Sequence, residues 1–120
     1  AGPLDVKLVP GGLVDLEFLV HVTQFEAGAG FHPDLAAAVT DLVQVGALPP
    51  DIAAAQDLLT RYLIVSRLVS PGSIEPPPTA CPLVARRVDR TNWPELLAAI
   101  DEARHNVGRA WGEVVARVKE

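Results

Sequence analysis

The sequence predicts an all-α fold: a single bundle of four long helices plus a short one. Three observations carry that expectation. Apolar residues recur at three- and four-residue spacing in separate stretches along the chain. Clusters of proline and glycine punctuate the stretches. No alternating strand pattern breaks the series. At 120 residues the chain fits one domain, residues 1–120, with enough length to bury one real core.

Residues 1–11 read as an extended lead-in, because Pro3 and Pro10 bar helix. Gly11-Gly12 makes the bend into helix one, expected from about Gly12 to Ala27. Leu13, Leu16, Phe18, Leu19, Val20, Val22 and Phe25 cover most of that helix's circumference. It is therefore expected to be a central post, buried on several sides. Glu17, His21 and Gln24 share its polar stripe, and Asp15 falls in its first turn, where a carboxylate is favoured.

Gly28-Ala-Gly30 ends helix one, and Pro33 fits the first turn of helix two, with Asp34 at its positive end. Leu35, Val39, Leu42 and Val43 form its apolar face, and Gly46 is the expected stop. Helix three is expected from about Pro50 to Val69, with Ile52, Ala55, Leu58, Leu59, Tyr62, Leu63, Val65 and Leu68 inward. Ser70 to Thr79 is a loop, fixed by Pro71-Gly72 and Pro76-Pro77-Pro78. Residues 80–89 allow only a short helix, presenting Arg86, Arg87 and Arg90. Asn92 with Glu95 three residues on is a capping-box start for the last helix. Its apolar positions run from Leu96 to Val118, and Gly108 and Gly112 are expected to admit a neighbouring helix closely.

The net charge of −5 argues against a nucleic-acid partner, which would want a basic stripe. The single cysteine, Cys81, cannot form an internal disulfide and has no zinc-type spacing, which fits a cytoplasmic protein. Nothing resembles a signal peptide or a membrane span. The chain does not begin with Met, and it reads as an excised piece of a longer protein.

Few residues offer chemistry. A glycine-rich turn before a helix can bind phosphate, but Pro10-Gly11-Gly12 lacks the P-loop pattern and reads more readily as a structural turn. Glu17, His21 and Gln24 read as a polar face meeting solvent or a neighbouring domain in preference to a metal face. Arg86, Arg87 and Arg90 read as a solvated helix end in preference to an anion site. No Ser–His–Asp or Cys–His set is present, so the chain alone is expected to be inactive.

The block Asp5-x-Lys7, then Gly11-Gly12-Leu13-x-Asp15-Leu16-Glu17-Phe18, resembles the opening of the helical domain of glutamine synthetase adenylyltransferases. That family's pattern is roughly Asp-x-Lys-x-Gly-x-Gly-Gly-Ile/Leu-x-Asp-Ile/Leu-Glu-Phe-x-x-Gln. Here Val9 stands at the usual Gly, Val14 at a frequent Arg, and His21 at the usual Gln. PII uridylyltransferases carry a related Gly-Gly-Leu-Arg-Asp core but depart at Glu17-Phe18.

The resemblance implies a domain following a catalytic nucleotidyltransferase domain. That upstream domain would hold ATP and Mg²⁺ on its own Asp carboxylates, with no cofactor in this chain and glutamine synthetase as the parent enzyme's partner. The C-terminal, adenylylating half of such an enzyme is the expected source. Asp5, Lys7, Gly11, Gly12, Asp15, Glu17 and His21 are then the candidate interdomain or cleft contact. Lys7 would reach a triphosphate or pair with Asp15, or all of these would only tie the lead-in to helix one. A helical protein-interaction module, docking a partner without nucleotide, is the competing reading.

Overall fold

The computed structural model describes residues 4–72 and 75–119. Positions 1–3 of the expected lead-in and 73–74 of the expected loop lie outside the described residues. All regular structure among the described residues is helical: α1 (Leu13–Ala27), α2 (Leu35–Gln44), α3 (Pro50–Val69), α4 (Cys81–Arg87) and α5 (Trp93–Val118). Their lengths are 15, 10, 20, 7 and 26 residues, a graded series and not a clean division into long and short.

The spine is the antiparallel pair α3–α5, which share the most extensive contact in the fold. Ile52, Ala55, Leu58, Leu59 and Tyr62 of α3 are buried, as are Leu96, Ile100, Ala103, Val107, Ala110 and Val114 of α5. The α5 set alternates steps of four and three, the spacing that keeps one seam facing a partner along a whole helix. Each fully buried Leu or Ile contributes about 2 kcal/mol of transfer free energy. α1 and α2 cover one flank of this pair, and α4 packs against α3 and α5.

This corrects the expectation that helix one is the central post. α1 buries Leu16, Leu19 and Val20 but leaves Phe18 55% and Phe25 87% exposed. An apolar circumference names no single face, so the two longest helices form the longest seam and α1 packs on it from one side. Leu68 is also corrected: it is 77% exposed, and Ser66 takes the buried position instead. The Ser66 hydroxyl donates to Leu63 O at 3.0 Å, so it enters the core already satisfied.

The helix ends follow local chemistry. Asp34 caps α2, its Oδ2 accepting from Ala37 N at 3.0 Å, so the helix begins after Pro33. Gly46, at φ 78°, closes α2. Ala47 N donates to Leu42 O and Gly46 N to Val43 O, the paired bonds of a Schellman end. The same pair closes α4, from Arg90 N to Ala85 O and Asp89 N to Arg86 O, with Asp89 at φ 61°. Asn92 accepts from Glu95 N at 2.9 Å, and Glu95 reaches back to Thr91 N at 3.2 Å.

Two further expectations change. Residues 4–12 are not extended but coiled in successive turns, with Leu8 N and Val9 N both donating to Asp5 O. Proline forbids helix there without forbidding turns, and coiling lets Val6 and Val9 reach the core. Gly108 and Gly112 admit no neighbouring helix: a Cβ at either would meet open space.

Candidate functional site

The turn Pro10-Gly11-Gly12 sits directly on α5. A Cβ on Gly11 would lie 2.2 Å from Arg104 O, and its φ of 77° already disfavours any side chain. A Cβ on Gly12 would lie 2.3 Å from Val6 O and 2.9 Å from Val9 O. Both glycines are thus dictated by backbone meeting backbone. Arg104 fastens the outside by donating from Nε to Pro10 O at 3.1 Å.

The amides of this turn are all engaged. Gly11 N donates to Asp15 Oδ2 at 2.7 Å. Gly12 N donates to Val9 O, Leu13 N to Val6 O and Val14 N to Lys7 O, at 2.8, 2.8 and 3.0 Å. A helix start binds phosphate through unpaired N–H groups aimed at the ligand. Here the coil of residues 5–9 and the Asp15 carboxylate occupy those donors. The turn is a clasp between the N-terminal coil, α1 and α5.

The seven sequence-predicted contact residues therefore separate into groups. Gly11 and Gly12 are buried in the clasp, and half-buried Asp5 and Asp15 bind its backbone. Lys7 is exposed and lines a groove against α3 with Arg67. Glu17 and His21 are exposed on the outer side of α1. Gln24, the third member of the predicted polar stripe, turns inward. It donates from Nε2 to Gly30 O at 2.7 Å, while its Oε1 meets His21 Nδ1 at 3.2 Å.

The outer side of α1 carries what residue-by-residue reading missed. Phe18, His21 and Phe25 fall at i, i+3 and i+7 and so share a face. The chain has three phenylalanines. All are exposed, Phe31 at 67% in the loop after α1. Phe18 stacks on Trp111 of α5, centroids 6.4 Å apart and planes 30° off parallel. Arg117 and Glu26 pair at 3.0 Å farther along the same two helices. Tyr62 is the aromatic residue that enters the core, and Phe18 and Phe25 leave an uncovered aromatic face on the outer side of α1.

The remaining candidates are accounted for locally. Arg86 and Arg87 are exposed, whereas Arg90 turns back onto Asp89 O at 3.3 Å, and Asp89 pairs with Arg61 at 2.9 Å. His32 Nε2 meets Asp41 at 2.6 Å and ties the loop onto α2. The Cys81 thiol points at Pro77 O, 3.5 Å away. Burial first, then the charge of Glu75, pushes its pKa up, which keeps it a protonated and weak nucleophile. The Tyr62 hydroxyl is buried with no hydrogen-bond partner among the described residues. Burial, helped by the charges of Cys81 and Glu75, pushes its pKa up to about 12.

No helix among the described residues is long and apolar enough to cross a membrane. Comparison with protein-family models, curated proteins and solved structures finds no match for this chain.

Proposed function

We propose that this chain is a helical accessory domain that docks a protein partner through the outer face of α1 and the adjoining edge of α5. The observation that carries the reading is the exposure of every phenylalanine, with Phe18 stacked on Trp111 beside the open flank of Gly108. Aromatic side chains anchor protein contacts because they desolvate large area at low entropic cost. Glu17 and His21 lie on or beside this face and would form its polar rim.

The partner we propose is the catalytic domain of a glutamine synthetase adenylyltransferase, with this chain helping to shape its cleft in nitrogen-assimilation control. Support comes from the Asp5-to-His21 block and from its clasp geometry, which gives the two glycines and Asp15 a shared physical reason. ATP and Mg²⁺ would belong to the catalytic domain. The equivalent domain of a PII uridylyltransferase would use the same face, as would an interaction module with no nucleotide-binding neighbour.

The experiment is co-purification of this domain with a separately expressed adenylyltransferase catalytic domain. Phe25→Ser should abolish capture while leaving the melting temperature unchanged. Capture unaffected by Phe25→Ser and Phe18→Ser together would remove the docking face. In calorimetry the isolated domain should bind ATP–Mg²⁺ no tighter than about millimolar. Micromolar binding would return the clasp region to a nucleotide role.

A further inference from the structure

A groove on another side of the molecule runs between the N-terminal coil and the second half of α3. Asp5, Lys7 and Leu8 form one wall, and Leu63, Ser66 and Arg67 the other. It encloses about 200 Å³, room for one large side chain. Its surroundings are apolar: Leu8 is exposed, and so are Ile64 and Leu68, which neighbour Arg67 on the α3 surface. Ser66 uses its hydroxyl on Leu63 O, so the α3 wall is mainly a Leu63 surface topped by a guanidinium.

What marks this groove is the combination of unpaired cations with an apolar lining. The chain carries net −5, yet Lys7 and Arg67 stand here together with no ion-pair partner among the described residues. Arg61 is engaged with Asp57 and Asp89, Arg109 with Asp51 and Arg117 with Glu26, whereas Arg86 and Arg87 in the last turn of α4 are exposed and enter none of these pairs. Asp5, the acidic residue of the groove, is half-buried and offsets only one of the two cations. An apolar slot with a net positive lip complements an acidic segment bearing an apolar anchor.

We propose that this groove binds an acidic peptide segment of a partner protein. One large apolar side chain would seat between Leu8 and Leu63, and flanking carboxylates would pair with Lys7 and Arg67. The surface is separate from the phenylalanine face, and the proposal does not depend on the nucleotidyltransferase reading. It gives Lys7 a carboxylate-binding role in place of a triphosphate-binding one.

The test is fluorescence anisotropy with a labelled short peptide carrying a single central Phe flanked by glutamates, against the same peptide with lysines. The acidic peptide should bind at least about tenfold tighter, a difference that shrinks as salt screens the pairs. Lys7→Glu with Arg67→Glu, both on exposed side chains, should reverse the preference. Leu8→Ser should weaken both peptides, and Phe25→Ser should change neither. Equal binding of the two peptides, no binding of the acidic one, or a preference surviving the double charge reversal would overturn the proposal.

Discussion

α1 has a closed end and an open side, and they differ in what they tolerate. At the closed end, Gly11 and Gly12 have no room for a methyl group, and each turn amide has a named acceptor. On the open side, Phe18 and Phe25 stand in solvent at 55% and 87% exposure. The two glycines and Phe18 belong to the same short block of sequence, and Phe25 follows one turn beyond it. The difference teaches that a distinctive motif need not be one site: part of it holds the fold, and part of it is free to meet something else.

Gly11→Ala attacks the closed end most directly. The methyl group would overlap Arg104 O at a residue already at φ 77°, so we expect a loss of about 3 kcal/mol or more, read as a collapse in urea midpoint. A mild change would mean that the coil swings off α5 easily, and the contrast would fail. Asp15→Ala comes next. It strands the buried Gly11 N–H and should cost about 1–3 kcal/mol, with Asp15→Asn recovering part of it.

Tyr62 extends the closed side into the core. Its folded pKa of about 12 lies above the ordinary value of 10.0, so burial favours the neutral phenol. Its contribution is complete below pH 10 and is lost as pH rises from there through 12. Being the only tyrosine, it gives one clean ultraviolet titration, which should stay flat to pH 10 and rise together with unfolding. A midpoint near 10.0 in folded protein would place the hydroxyl in water.

The open side should show the smallest effects on stability. Phe25→Ser is expected to move it by no more than about 0.5 kcal/mol. Asp89→Gly should be near zero in net effect: relief of the left-handed backbone gains about 1 kcal/mol, and loss of the exposed Arg61 pair gives back a similar or smaller amount.

Much of the fold was legible because helix ends are written in local chemistry. Gly46, Asn92 with Glu95, and Pro50 at the start of α3 each act within one turn, and each appears where its residue type predicts. Facing was less legible. In α3 the choice between Ser66 and Leu68 went against hydrophobicity, because the 3.6-residue period puts Ser66 on the seam and its hydroxyl finds Leu63 O. In α1 no period could choose a face, since apolar residues ring the helix. Which side of α1 stays outside is decided in part by where α5 lies, about ninety residues farther along the chain. The glycine pair was readable as a turn, but its cause, the carbonyl of Arg104, is a tertiary fact.

The pairing of α1 with α5 has a kinetic consequence. Pro10 meets Arg104, Phe18 meets Trp111 and Glu26 meets Arg117, so the two helices run parallel over separations of 94, 93 and 91 residues. Closing a loop that long costs about 4 kcal/mol of chain entropy before any contact repays it. The α2–α3 neighbours face no such delay. Because α1 is synthesised before α5, the side of α1 that α5 covers would stay open on a ribosome until α5 had been made, while α2 and α3 could cover other parts of it earlier.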